Sequence, residues 1–262
     1  MNPIRNINLA GAGSVATHLA RVFFKKGFRV RYIYNRSPEP GKILARKVQA
    51  SWVASPQALG READLIVLAV SDNALPHVIQ NLSFDPVLVV HTAGSIDLQL
   101  LRKTSSRTGV FYPLQTFTEK NRVSFSQVPI CIEATDDSSE QQLRDLADSI
   151  GAIPYTINST QRKVLHVGAV MAGNFTNFLY ALAEELTREY DIPFDLLKPL
   201  IRHTAANARY TGIFTRQTGP AERNDHVTMT THKDFLTLHP RYLEVYTLMS
   251  RLIQERKQRD EL

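Results

Sequence analysis

Over roughly the first 156 residues, short apolar or β-branched runs alternate with apolar positions at helical spacing. Residues 4–10 read as a strand. Val15, Leu19, Val22 and Phe23 then recur on one helical face. Residues 29–34 predict a second strand. Residues 65–70 are apolar at every position, as expected for a central strand covered on both faces, and residues 87–91 repeat that pattern. Residues 109–112 and 129–133 read as later strands. A cap-like cluster, Asp136-Asp137-Ser138-Ser139, precedes Leu143, Leu146, Ala147 and Ile150, which mark an amphipathic helix. Residues 152–156 would close the sheet. This alternation predicts parallel pairing with right-handed crossovers.

Beyond residue 157 the pattern is helical throughout. Residues 164–188 form a long Ala- and Leu-rich run, broken by Asp191-Ile192-Pro193. A second helix is expected over 196–208, with Pro199 in its first turn. Gln217-Thr218-Gly219-Pro220 reads as a loop, and Tyr242, Val245, Tyr246, Met249 and Leu252 line the apolar face of a last helix. The predicted fold is therefore α/β, a doubly wound sheet over 1–156 followed by an all-α domain over 157–262.

Composition narrows the class. With 43% hydrophobic and 21% charged residues among 262, a packed core is expected rather than disorder. No apolar run approaches the roughly 18 residues of a membrane span. Residues 1–8 run into the first strand without a signal-like apolar region, which argues against secretion. The one cysteine, Cys131, excludes an internal disulfide framework and a cysteine-based zinc site, and fits a reducing cytoplasm. The net charge of +6 comes from scattered bases interleaved with acids, which reads as a solvated surface rather than a nucleic-acid face. His226 and His232 have no carboxylate at metal-ligand spacing, so no metal site is expected.

The strongest chemical signal is Gly11-Ala12-Gly13-Ser14-Val15-Ala16, between a predicted strand and a predicted helix. Gly11 permits the tight turn, Gly13 lets the backbone approach a pyrophosphate, and Ala16 allows close helix–strand packing: a Rossmann dinucleotide site. The helix start offers free N–H groups and partial positive charge to the phosphates. At the end of the second strand stand Asn35, Arg36 and Ser37, where an NAD site places an acid for the ribose 2′-OH. Arg36 suits a 2′-phosphate, with Asn35 and Ser37 as neutral donors, so the expected cofactor is NADP(H). An S-adenosylmethionine site also uses a glycine-rich turn, but its ribose diol prefers a carboxylate at this point. Val70 and Ser71, after the fourth strand, would line the ribose and nicotinamide path. Gly94 and Ser95, after the fifth, would lie near the ring. His91 is open to either a structural or a site role.

Hydride chemistry needs a proton donor or polarising group from the protein. His166 and Asn177 lie eleven residues apart, about 20° from alignment on a continuous α-helix, and Asn174 lies roughly 80° from His166. Val167, Val170, Met171 and Phe178 read as core. His166 is the candidate general acid, Asn174 an orienting amide, and Asn177 a substrate contact. Arg223, after Thr218-Gly219-Pro220, would clamp a substrate carboxylate.

These motifs resemble the pyrroline-5-carboxylate reductase and 6-phosphogluconate dehydrogenase-like superfamily. His91 to Ser95, Tyr112-Pro113-Leu114-Gln115-Thr116-Phe117, His166 to Asn177 and Thr218-Gly219-Pro220 resemble more closely a bacterial family provisionally named NADP oxidoreductases, in which a Rossmann-like domain precedes a helical domain of unknown function. The resemblance implies NADP binding, a homodimer through the helical domain, and a cleft between domains. Hydroxyacid dehydrogenases of the superfamily carry a lysine four residues before an asparagine; here Val170 precedes Asn174 and Gly173 precedes Asn177. The Ser-Gly-Ser-Gly-Pro of the pyrroline reductases is replaced by Met171-Ala172-Gly173-Asn174-Phe175. The resulting expectation is an oxidoreductase acting on a small keto or imino acid. The alternative is a non-catalytic NADP(H)-binding sensor or assembly protein.

Overall fold

The computed structural model describes residues 3–80, 82–118 and 123–260. The chain divides into two compact units after Asn174. The first is built on one eight-stranded sheet, formed by β1 (Asn6–Ala10), β2 (Arg29–Tyr34), β3 (Ser51–Val53), β4 (Leu65–Leu68), β5 (Leu88–His91), β6 (Thr108–Pro113), β7 (Pro129–Ala134) and β8 (Ile153–Thr156). Their spatial order is β3-β2-β1-β4-β5-β6-β7-β8. β4 and β5 are buried at every residue, which is why β4 reads as an unbroken apolar run and β5 as one up to His91.

Helices α1 (Ser14–Lys25), α2 (Pro38–Lys47), α3 (Leu75–Ile79) and α4 (Asp137–Ser149) connect the strands. Leu19, Ala20 and Phe23 of α1 pack fully buried with Ile7 and Leu9 of β1. Asn8 points the other way along β1. It is buried but satisfied, donating to the carbonyls of Leu59 (2.7 Å) and Arg61 (3.0 Å) and accepting from the Tyr32 N–H (3.0 Å). Asp136 caps α4 by accepting the Ser139 N–H at 2.8 Å.

The fold departs from the expected pattern at the far side of the sheet. β6 and β7 pair antiparallel, where strand–helix alternation predicted parallel pairing. Among the described residues, the connection between them carries only the three-residue turn Phe125–Gln127, whereas a parallel return usually runs through a helix. β3, three residues long, was below the length at which alternation is readable.

The composition boundary at residue 157 falls inside the first unit, because α5 (Ser159–Ala169) belongs to it. This helix starts five residues before the predicted 164, at a capping box in which Asn158 and Gln161 exchange bonds of 2.9 Å. A π-helical segment, Val170–Phe175, follows. It departs from the roughly 100° step per residue of a continuous α-helix, on which the expected alignment of His166 with Asn177 was reckoned. Val167, Met171 and Phe178, predicted as core, are 56%, 59% and 52% exposed.

The second unit contains α6 (Thr176–Glu189), α7 (Lys198–Asn207), α8 (His226–Phe235) and α9 (Pro240–Asp260). Pro199 stands in the first turn of α7, as expected. α8 was not predicted. Its cap is Asp225, which accepts the Thr228 N–H at 3.0 Å. Few side chains here are buried, while Leu196, Val227 and Leu238 are 69%, 79% and 85% exposed. No described helix is long and apolar enough to cross a membrane.

Candidate active site

Strand order lays out the site. The parallel strands β2, β1, β4, β5 and β6 end side by side in that sequence. Each end leads into a loop bearing candidate residues, and ligands of open α/β sheets bind beyond such ends.

At the end of β1, Gly11 has φ of 113°. A Cβ there would lie 2.1 Å from the Ala69 carbonyl oxygen, so both the backbone conformation and the neighbouring chain require glycine. A Cβ on Gly13 would meet nothing within 4 Å, leaving that backbone open to a ligand. Gly13 also precedes α1, whose first turn carries no acidic side chain. The N–H groups of this turn, those of Ser14 and Val15 included, have no acceptor within the helix. The Val15 side chain packs against the core, so this residue offers a ligand its backbone.

A groove of about 590 Å³ opens at this point. Gly11, Ala12 and Gly13 form its floor, and Val70 and Ser71 border it after β4. Asn35, Arg36 and Ser37 form the wall at the end of β2. The Asn35 amide donates to the Ser37 carbonyl at 2.8 Å, folding this turn, and Arg36 stands exposed. The residues fit a phosphorylated dinucleotide: a glycine cradle, an uncapped helix start, and a guanidinium that, among the described residues, forms no ion pair with an acid. His77 on α3 also lines the groove and was not anticipated.

A second cluster gathers at the ends of β4, β5 and β6. Gly94 is buried, and a Cβ there would lie 2.5 Å from His166 Nδ1 and 2.6 Å from its Cγ. The imidazole thus fills the space that a side chain at 94 would need. The Tyr112 hydroxyl, on β6, lies 2.9 Å from His166 Nδ1, with the rings edge to face. The Ser95 hydroxyl donates to the carboxylate of Asp72. Burial pushes the Tyr112 hydroxyl up to about 12, with Cys131 and Asp72 adding to the shift and Arg162 opposing it. Tyr112 is therefore protonated at neutral pH.

Arg162, one turn before His166, anchors α5. It is fully buried and ion-paired to Glu133 of β7. It also donates to the Ile96 carbonyl at 2.5 Å and to Ser159 Oγ at 3.1 Å. Ser159 in turn donates to Glu133 at 2.8 Å and accepts the Leu98 N–H at 3.2 Å. These bonds tie the helix to the loop that begins at Gly94.

His91 has a structural position. It is fully buried, and its Nδ1 accepts the Ala93 N–H at 3.1 Å. Burial first, then the charge of Arg162, hold its pKa down at about 3, so the ring is neutral and shapes the turn leading to Gly94.

Two family models match the chain. The one described as NADP oxidoreductase coenzyme F420-dependent matches residues 6–94. The domain of unknown function DUF2520 matches residues 128–253. A Bacteroides fragilis protein provisionally named an NADP oxidoreductase is 37% identical over 96% of this chain and 98% of that one, with a TM-score of 0.87. The chain belongs to this family of NADP oxidoreductases. Two less similar structures share the fold. A 1-pyrroline-5-carboxylate reductase of Streptococcus pyogenes is 16% identical over 97% of this chain and 100% of that one, with a TM-score of 0.63. A reductive aminase of Aspergillus terreus is 17% identical over 99% and 95%, with a TM-score of 0.72. No curated protein matches the sequence.

In this NADP oxidoreductase the DUF2520 segment begins at residue 128 and therefore supplies β7, β8, α4 and α5 to the first unit. The contact of His166 with Gly94 and Tyr112 joins that segment to the Rossmann-like part. Tyr112 and Asp72 were not among the predicted site residues. The sequence signal for Asp72 was its position just beyond a strand end, and for Tyr112 its place in the Tyr112–Phe117 segment that resembles the family.

Asn174 is exposed in the π segment and, among the described residues, makes no hydrogen bond to the His166 cluster. Asn177 lies in the second unit, in a groove of about 550 Å³ that also holds Tyr180, Lys198 and Arg202. Arg223 is exposed in the turn before α8, its N–H donating to the Gly219 carbonyl at 3.2 Å. No group of three or more His, Cys, Asp or Glu side chains among the described residues is arranged to hold a metal ion.

Proposed function

We propose that this protein is an NADP(H)-dependent oxidoreductase acting on a small keto or imino acid, with His166 as general acid in partnership with Tyr112. The observation that carries this reading is the Tyr112–His166 pair, seated on Gly94 at strand ends that continue from the cofactor groove. Gly11, Ala12, Gly13 and the start of α1, with the N–H groups of Ser14 and Val15, would hold the pyrophosphate. Arg36, with Asn35 and Ser37, would hold the 2′-phosphate. Val70 and Ser71 would border the ribose, with Gly94 and Ser95 beside the ring. When bound, NADP(H) supplies the hydride chemistry.

The pair's part is proton delivery. The pair carries the Tyr112 hydroxyl proton and an imidazole N–H proton, one of them shared in the 2.9 Å bond. If the hydroxyl donates to Nδ1, Nε2 keeps the other proton. If Nδ1–H donates to the phenol oxygen, the hydroxyl proton is free. Either arrangement leaves one proton for a substrate oxygen or nitrogen as its bond order falls. Asn174 would orient the substrate, while Asn177 and Arg223 would contact it, Arg223 by two parallel bonds to a carboxylate.

The exposed apolar side chains of the second unit, Leu196, Val227 and Leu238 among them, support a homodimer through these helices, since a patch of this kind marks an interaction surface. The reducing environment implied by a lone cysteine supports a cytoplasmic location.

Loss of the reduced-nicotinamide absorbance, followed over a panel of keto acids with and without ammonia, tests the reading. Turnover is expected in the native protein and is expected to collapse in His166→Ala. Tight NADPH binding with no substrate consumed across the panel would make the protein an NADP(H)-binding sensor instead.

A further inference from the structure

The cluster beyond β4 and β5 contains a charge with no part in the proton delivery just described. Asp72 lies between Ser71 and Asn73, both of which border the cofactor groove. Its hydrogen bond among the described residues comes from the Ser95 hydroxyl. The nearby cation, Arg162, is committed to Glu133, Ser159 and the Ile96 carbonyl. The local formal charge at the mouth of the cluster is therefore negative.

Its hydrogen-bonding character is one-sided as well. An ionised carboxylate only accepts. Ser95 has used its proton on Asp72, so its oxygen offers a ligand lone pairs alone. A neutral carbonyl meeting this edge would place acceptor against acceptor. A protonated nitrogen would donate to it and gain a charge-assisted bond.

We propose that Asp72, oriented by Ser95, determines specificity by pairing with a cationic nitrogen, so that the site takes an iminium or ammonium group in preference to a neutral carbonyl. This rests on the oxidoreductase reading and narrows its substrate class from keto or imino compounds to the imino side. The raised Tyr112 pKa, to which Asp72 contributes, agrees with a negative field at this spot.

The experiment is calorimetry on the full-length protein saturated with NADP+, titrated with cyclohexylamine and separately with cyclohexanone at neutral pH. The two probes share a ring and differ in charge. The amine is expected to bind about tenfold or more tightly than the ketone, the range of a hydrogen bond to a charged group. In Asp72→Asn that preference is expected to shrink to within about twofold, at an unchanged unfolding temperature. Equal binding of the two probes, binding of neither, or a preference that survives Asp72→Asn would overturn the proposal. The NADP+ titration that precedes the probes separates the two readings. Absence of coenzyme binding sinks the oxidoreductase reading itself, whereas coenzyme binding without an amine preference sinks only the role of Asp72.

Discussion

Gly94→Ala tests whether the His166 position is as tightly determined as the structure makes it. Gly94 is not among the glycines with positive φ, so alanine is compatible with the backbone and any cost must come from contact. The new methyl would lie 2.5 Å from His166 Nδ1, 2.6 Å from Cγ and 3.1 Å from Cβ. Helix α5 cannot retreat freely, because Arg162 is buried and bonded on three sides one turn away. The ring must therefore swing away from Tyr112. Overpacking costs about 1–3 kcal/mol, and loss of the Tyr112 bond adds about 0.5–1.5 kcal/mol. A total of about 1.5–4.5 kcal/mol follows, with Tm falling roughly 2–4 °C for each kcal/mol.

The assay is thermal unfolding of Gly94→Ala alone and in a His166→Ala background. Without the imidazole the methyl enters vacated space, so its cost should vanish, leaving a coupling energy of at least about 1 kcal/mol. Turnover by the single variant should fall about 10²–10⁴-fold, the usual contribution of a positioned general acid. A penalty of the same size in both backgrounds would refute the steric argument, and with it the placement of His166 against the β5 exit.

Three further outcomes are expected. Arg36→Ala should weaken NADPH about 10–150-fold, from loss of a charge-assisted contact of about 1.5–3 kcal/mol, while NADH binding barely changes; matching losses in titrations of both coenzymes would refute the 2′-phosphate assignment. Arg162→Met should cost about 3–5 kcal/mol in chemical denaturation by stranding Glu133, and the double variant Arg162→Met/Glu133→Leu should recover most of that. For His91, folding depresses the pKa from 6.5 to about 3, so the unfolded chain binds a proton that the folded one refuses. Its neutral state imposes no penalty above pH 6.5, and stability falls by about 1.4 kcal/mol per unit as the pH drops from there toward 3. His91→Asn should flatten that part of a stability–pH curve, and an unaltered slope would show that the ring is not buried as described.

Local chemistry was legible where a residue's requirement is set by its own backbone or by neighbours along the chain. The Gly11–Gly13 turn and the apolar β4 and β5 could be read directly, because close backbone approach and burial on both faces restrict residue type position by position. The start of α5 was also readable in principle, from Asn158 and Gln161, yet the apolar pattern begins only later because the first turn is polar. Three features were not readable. The antiparallel β7 depends on how the chain returns between 113 and 129, which residue pattern does not encode. The π segment interrupts the α-helical step without any residue that demands it. Exposure of Val167 and Phe178 depends on what packs against the helix rather than on its periodicity.

The sequence by itself determined a dinucleotide cradle at β1, a guanidinium at the end of β2 and a histidine on a long helix. Only tertiary structure decided that this histidine meets Tyr112 across Gly94, 54 residues away in sequence from the tyrosine, and that Asp72 and Ser95 close the same corner. The reason is physical. Short-range periodicity fixes which face a side chain takes, while the order of strands in the sheet fixes which ends become neighbours, and that order is set by the packing of the whole core.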